Sequence, residues 1–520
     1  MLQRNQKRGA GSIMGRGMNE GVNVGKREWG ALALVLALAL ALRLFKADAS
    51  LWYDEIFTVV NYVRLPTSQL IGVFDSLNNH MLYSLLAQAS VGLFGENPAA
   101  LRLPAILFGV GSIFVQWRIA RRMMGAPGAL VVALLLALSY HHVWFSQNAR
   151  GYTGLLFFCS AATLAFIKGL EKPGWRIWAS YGLLVAAAMY THMSAGFFFV
   201  AHGVVYAWMA GRALLGRGAQ YREPGLLSWG PIFGITLSII ITLALYAPVI
   251  QQALSTINEV SKASAAPSGA ALAEWRNPLR AVQEIGRSIS SAGPLVPVIV
   301  LGALLVLAAG VIDLYRRSPV LVTIYVVHVP LAMLLLYIVG VRIWPRYFFV
   351  DIGFIFMAIV EGVYVWSRIL APWLRWQGKS MFDAPWIARF GMVMMVLVSI
   401  ALLIPNYLHP KQDFTGARDF LRSYAKPGDS IAAIGLAGYA YGHYYAPEFT
   451  VVETGAELER LRRATKGRSW VVIAFPNQTL NARPDVKAEL VAHYTDMDTF
   501  KGTLGDGEVW TLIDKGAAKP

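Results

Sequence analysis

Residues 29–56 read WGALALVLALALALRLFKADASLWYDEI. The first part is an apolar run close to the ~20 residues that cross a bilayer. Arg43 and Lys46 mark its end, and two adjacent carboxylates, Asp54 and Glu55, follow a few residues later between Trp52 and Ile56-Phe57. A membrane span followed at once by an acidic pair among apolar residues sets the terms for the rest of the chain. Apolar surroundings raise a carboxylate's pKa, which suits a general base.

The composition extends this reading. The chain has 520 residues, 56% of them hydrophobic and 15% charged, with a mean hydropathy of +0.49. A soluble protein of this size has too little interior to hide that much apolar surface. An ordinary cytosolic enzyme, a disordered chain and a disulfide-stapled module are excluded. The single cysteine, Cys159, excludes an intrachain disulfide and CxxC chemistry.

Eleven apolar stretches are expected to span: 29–46, 101–120, 128–146, 152–170, 176–191, 193–211, 227–250, 293–314, 319–340, 347–367 and 389–405. Residues 80–94 form a weaker stretch, read as a helix lying in the interface within a first external loop, 47–100. Ala47-Asp48-Ala49 has the form of a cleavage site, but Arg43 and Lys46 interrupt the apolar region before it, so the first span is read as retained. The net charge of +16 lies wholly before residue 405; beyond it, basic and acidic residues balance at 14 each. With a basic N-terminus (1–28) inside, the inner segments carry 21 Lys and Arg and the outer ones 11. The positive-inside rule then puts the tail outside, and membrane topology explains the charge without nucleic acid.

The tail, 406–520, is polar. SIAAIG (430–435), TVVET (450–454), WVVIAF (470–475) and EVWTLI (508–513) read as strands, and 415–425, 455–465 and 484–494 as helices. The expected architecture is therefore a polytopic α-helical membrane domain, 29–405, with a C-terminal extracytoplasmic α/β domain. Gly435, Gly438 and Gly442 do not match GxGxxG, so no nucleotide site is expected there.

Beyond Asp54 and Glu55, candidate residues gather at the outer ends of spans. His80 opens the interfacial helix. Arg150 and Tyr152 follow the third span, with His141 and His142 read as buried one to two turns before. His192 sits in another outer loop. Arg342, Arg346 and Tyr347 precede the tenth span. Outward arginines oppose the positive-inside trend unless an anion occupies them, and Arg binds phosphate with two parallel bonds. Asp351 and Glu361 lie inside a span, where acids invite either function or a pair with an arginine such as Arg102.

The order of these motifs resembles a family. W-x-D-E at 52–55, H-x-L-Y at 80–83, Arg102-Leu103-Pro104, A-R-x-Y at 149–152 and P-R-Y at 345–347 look like the GT-C glycosyltransferases, closest to the protein O-mannosyltransferase and lipid A aminoarabinose transferase branch. The resemblance covers roughly 45–350. Relatives often have H-P-P-L where this chain has His80-Met81-Leu82, and proline at Gly151. The resemblance implies inverting transfer of a sugar from a polyprenyl-phosphate donor to a glycan, lipid or protein acceptor. Asp54 would deprotonate the acceptor, with Glu55 as helper or substitute. Arg346, Arg150 and Arg342 would stabilise the leaving phosphate, and His80 and Tyr347 would orient it. No cofactor is expected beyond a divalent cation, left open, with Asp54, Glu55 and His80 as its candidate ligands. The implied location is the inner membrane, with the site and tail periplasmic. The rival reading, a lipid or glycan flippase, calls for charged residues along a path through several spans, whereas here they cluster at one face.

Overall fold

The computed structural model describes residues 24–217, 223–265, 296–341, 343–376, 379–380 and 383–516. Helices dominate up to residue 403. They are α1 (Lys26–Leu44), α2 (Tyr53–Thr58), α3 (Met81–Phe94), α4 (Pro98–Leu138), α5 (Tyr140–Ser146), α6 (Tyr152–Glu171), α7 (Trp175–Thr191), α8 (Ala195–Leu214), α9 (Trp229–Tyr246), α10 (Ile250–Ala265), α11 (Val296–Arg317), α12 (Pro319–Val339), α13 (Ile352–Leu370) and α14 (Ala384–Leu403). Among the described residues, eight helical stretches are long and apolar enough to cross a membrane. Stretches 297–317 and 384–408 have mean hydropathies of 2.5 and 2.4, yet only 11% and 17% of their apolar windows are buried. Apolar helices left this bare face lipid, and the chain is a multi-pass membrane protein.

α4 would be about 60 Å long if straight. Gly125 breaks it with φ 79°, a conformation that glycine adopts readily. The limbs double back: Arg121 before the break pairs with Glu28 at the start of α1, while Gly109 lies against Ser146 and Arg43 at the other end. The expected span 128–146 is not one helix. Ser139 (ψ 124°) ends the second limb and caps α5 through His142 N. A break inside a membrane strands backbone carbonyls. Arg43 takes up those of Leu136 and Ala137, both at 3.2 Å, and also bonds His142 Nδ1 at 2.8 Å. His141, expected to be buried, is exposed; consecutive helical residues point about 100° apart, so His142 alone faces inward. α3, with 14 residues, reaches about 21 Å, short of the ~30 Å hydrocarbon core. It packs on α4 instead, Tyr83 Oη donating to Leu101 O at 2.5 Å.

The intramembrane acids do not pair with Arg102. Glu361 meets Arg317 and Arg368 at the end of the molecule that carries Arg121 and Arg122, and Asp351 meets His328.

The tail carries a five-stranded sheet: β1 (Ser430–Ile434), β2 (Thr450–Val452), β3 (Ser469–Ala474), β4 (Tyr494–Phe500) and β5 (Val509–Asp514), in the order β2-β1-β3-β5-β4. β1 runs parallel to β2 and β3; β5 and β4 are antiparallel. Every residue of β3 is buried, as a central strand covered on both faces requires. β4 was not expected. Its sequence YTDMDTF is polar, as befits a guarded edge, and it bulges between Asp496 and Asp498. The tail does not stand apart from the membrane part: Leu51, Ile56 and Leu101 share one apolar cluster with Phe414, Ala437 and Tyr441.

Candidate active site

The two adjacent carboxylates at the start of α2 face different surroundings. Glu55 is fully buried. It accepts from Arg102 Nε at 2.8 Å, Arg102 Nη2 at 2.6 Å, Ala149 N at 2.6 Å and Trp52 N at 3.2 Å. Burial alone would raise its pKa, but the charge and hydrogen bonds of Arg102, then Lys411 and the Ala149 N–H, hold it below the ordinary value. Arg102 also ties down the carbonyls of Ala47, Ala49 and Ser50. Glu55 is thus saturated inside a loop-fixing pair and has no spare lone pair for a proton or a metal. Asp54, one helical step around, points elsewhere and remains partly exposed. Its Oδ2 accepts from Arg150 Nη1 at 2.6 Å.

Arg150 leads into a cavity of about 290 Å³ lined by His80, Arg150, Tyr152, His192, Arg346 and Tyr347, with an apolar wall that includes Phe74, Phe197, Leu336 and Val341. Six of the sequence-derived candidates therefore meet in one place. Arg342 lies outside the described residues. Arg150 Nη2 donates to Asn78 Oδ1 at 2.9 Å and lies 3.4 Å from His80 Nε2. The Gly151 N–H donates to His80 Nδ1 at 2.7 Å, which assigns the ring proton to Nε2, on the Arg150 side. Burial, and then the charges of Arg150, His192 and Arg346, push His80 well below its ordinary pKa. It is a neutral N–H donor. His192 is likewise pushed down to about 3 by burial and then by Arg150 and Arg346; its Nδ1 accepts from Ser194 Oγ at 2.8 Å. The two imidazoles lie 4.4 Å apart, centre to centre, with Tyr152 against both.

Arg346 enters from the turn 345–351. Its guanidinium stacks 4.4 Å from the Trp344 ring centre, and its Nε is buried with no hydrogen-bond partner. Arg150 Nε is in the same state. Unpartnered buried donors are costly, and two guanidiniums that each leave one, lining the same cavity, suit an anion there. The turn is held at its far end by Asp351, whose oxygens lie 3.0 and 3.1 Å from His328 Nδ1.

Sequence reasoning missed Asn78 as the second partner of Arg150, His328 as the partner of Asp351, and the role of the tail's neck. Lys411 donates to the Gln147 carbonyl and lies over the Trp144 ring at 5.1 Å. Burial pushes it down to about 7, against Glu55, which raises it. Gln412 Oε1 accepts from Tyr53 N at 3.0 Å. Nothing in the local sequence pairs these residues with positions more than 250 away.

Among the described residues no three His, Cys, Asp or Glu side chains gather as a metal site. Of the candidate cation ligands, Glu55 is consumed by Arg102, His80 Nδ1 is taken by Gly151, and Asp54 is bonded through Oδ2 to Arg150.

Comparison with known proteins adds the following. Residues 79–249 match the family model for dolichyl-phosphate-mannose-protein mannosyltransferase. No curated protein sequence matches significantly. Among solved structures, the archaeal oligosaccharyltransferase AglB from Archaeoglobus fulgidus, in complex with an inhibitory peptide and a dolichol-phosphate, aligns over 92% of this chain and 74% of its own, with a TM-score of 0.51 and 11% identity. ArnT from Cupriavidus metallidurans bound to undecaprenyl phosphate aligns over 94% and 99%, with a TM-score of 0.48 and 14% identity. The S. cerevisiae Pmt1–Pmt2 O-mannosyltransferase complex bound to the sugar donor aligns over 44% and 34%, with a TM-score of 0.36 and 16% identity. The matched model and these neighbours all belong to the GT-C glycosyltransferase superfamily, and the fold is of the GT-C type.

Proposed function

We propose that this chain is a membrane glycosyltransferase that takes a sugar from a polyprenyl-phosphate donor and passes it, with inversion, to an extracytoplasmic acceptor. The observation that carries the reading is that Arg150 ties Asp54 to a cavity holding a second arginine, neutral imidazoles and an apolar wall. A phosphate, a sugar and a lipid chain need just these neighbours side by side. The match to a dolichyl-phosphate-mannose-dependent family and the fold shared with AglB, which was solved with dolichol-phosphate, support it.

The chemistry follows from the residues. The donor phosphate sits between Arg150 and Arg346, with His80 Nε2–H as a third donor and Tyr347 beside it. The prenyl chain lies along Phe197, Leu336 and Val341. Asp54, with Oδ2 held by Arg150, takes the acceptor hydroxyl's proton. The hydroxyl oxygen attacks the anomeric carbon from the face opposite the phosphate, and the sugar–phosphate bond breaks. Its electron pair stays on the phosphate oxygen, where the guanidiniums stabilise the new charge. A single displacement inverts the anomeric centre. Glu55 acts through position alone, fixing α2 and residues 149–150.

Arg121, Arg122, Arg317 and Arg368 lie at the end of the molecule away from the cavity. By the positive-inside rule that end is cytoplasmic, so cavity and tail (406–520) face outward, in a bacterial-type inner membrane. The test is to incubate the purified full chain with undecaprenyl-phosphate-linked sugars together with a glycan, a lipid or a Ser/Thr-peptide acceptor, and to follow released undecaprenyl phosphate and the glycosylated acceptor. Release coupled to transfer for at least one donor–acceptor pair supports the reading; a folded chain that transfers from none of the donors to any of the acceptors refutes it.

A further inference from the structure

Next to Asp54 on α2, among residues that do not line the cavity, loop and tail together build an aromatic shelf. Tyr53 and Phe57 are one helical turn apart on α2, so both project the same way. Tyr439, from the tail helix 436–440, meets both, its ring centre 5.6 Å from that of Tyr53 and 5.7 Å from that of Phe57. His443 stacks on Tyr439 at 4.5 Å. The rings of Tyr53, Phe57 and Tyr439 are each half-buried, and His443 is exposed. The rim is polar. Asn61 Nδ2 donates to the Tyr439 hydroxyl at 2.5 Å. Exposed Asp75 accepts from the Tyr62 hydroxyl at 2.7 Å, and Tyr62 lies against Phe57. Burial, then the neighbouring Asp54 and Tyr439, push the Tyr53 phenol up to about 12, so it stays an O–H donor at neutral pH.

We propose that this shelf is the acceptor subsite and that the acceptor is a carbohydrate, its terminal pyranose lying on Tyr439 and Phe57 with a hydroxyl turned to Asp54. The inference rests on the transferase reading above and narrows it. A pyranose has a C–H face and a rim of hydroxyls. Aromatic faces carry partial negative charge that attracts the weakly positive C–H edges, while an amide and a carboxylate at the rim take the hydroxyls. An acyl chain would gain nothing from Asp75 and Asn61. An extended peptide would call for unpaired strand backbone, which no part of the shelf offers. Since Tyr439 and His443 come from the tail, the tail completes the acceptor site.

The test is saturation-transfer NMR on the full chain in lipid nanodiscs, free of glycoside detergents. The probes are methyl glycosides of glucose, galactose, mannose and N-acetylglucosamine, with a Ser/Thr peptide and a short-chain alkyl phosphate as competitors. At least one glycoside should receive saturation at its ring C–H protons. That signal should be lost in Tyr439→Ala and in Phe57→Ala, kept in Tyr439→Phe, and resist both competitors. Silence from every glycoside, signal unchanged in both alanine variants, or displacement by peptide or alkyl phosphate overturns the proposal. Undecaprenyl phosphate release, measured after adding undecaprenyl-phosphate-linked sugars to the same glycoside-containing sample, separates the two readings. Release without glycoside contact retires the shelf and leaves the transferase; glycoside contact without release leaves a carbohydrate-binding surface but retires the transferase and, with it, the shelf's role as acceptor site.

Discussion

Arg150 Nη1 stands 2.6 Å from Asp54 Oδ2, and this contact makes the carboxylate and the cavity parts of one device. The same guanidinium reaches Asn78 and approaches His80. In the proposed mechanism, a charge placed on the phosphate during transfer would thereby be felt at the group that removes the acceptor proton.

Arg346 has a buried Nε without a partner, and in the proposed mechanism its guanidinium binds the donor phosphate. A hydrogen bond to a charged group contributes about 1.5–3 kcal/mol, which corresponds to about 10–150-fold in affinity. Arg346→Ala should weaken donor binding by that order. Arg346→Lys should recover only part, because an ammonium lacks the planar fork. Equilibrium binding of undecaprenyl phosphate reads both, and wild-type affinity in Arg346→Ala would remove the residue from the site.

Glu55 and Arg102 form a buried pair, and removing one partner leaves the other charge stranded. Such losses run to about 3–5 kcal/mol. Glu55→Gln should therefore lower the thermal midpoint sharply, and any loss of turnover should track loss of fold. Asp54→Asn should lose less stability, because Asp54 is partly exposed and Arg150 keeps Asn78 as a partner. A Glu55→Gln protein that is stable but inactive would return Glu55 to the chemistry.

His328 and Asp351 hold the turn that carries Arg346 and Tyr347. Asp351→Ala should raise KM for the donor more than it lowers kcat, with Asp351→Asn milder because the amide oxygen still accepts from the ring. An unchanged KM in Asp351→Ala would show that the turn holds itself.

His192 gives a pH prediction. Its native pKa, about 3, lies below the ordinary value of about 6.5. Between these values the unfolded chain binds more protons than the folded one, so stability falls as pH drops through that window and is unaffected above it. The thermal midpoint of His192→Asn should fall less than that of wild type between about pH 6.5 and 4. Parallel curves would place His192 in contact with water.

Much of this architecture was legible because membrane spans and sheet strands write themselves as local apolar runs. WVVIAF announced β3 with one residue of error, while β4 was hidden because an edge strand such as YTDMDTF needs no apolar pattern. The Ser139 break was hidden too: 128–138 is apolar throughout, Ser139 and the two histidines after it are no helix breakers, and only the distant Arg43 takes up the freed carbonyls. At the site, outward arginines and the acidic pair stood out against their apolar surroundings. The different surroundings of Asp54 and Glu55 did not, because they depend on Arg150 and Arg102, 96 and 47 residues away.

Single-turnover transfer by Asp54→Asn, with donor affinity measured in parallel, tests the central claim most directly. The amide keeps the shape of the carboxylate but cannot take up the acceptor's proton. Loss of general-base help costs about 10²–10⁴-fold in rate. The account predicts a fall of that size with donor affinity at or above that of wild type. Turnover within a few-fold of wild type in Asp54→Asn would contradict it.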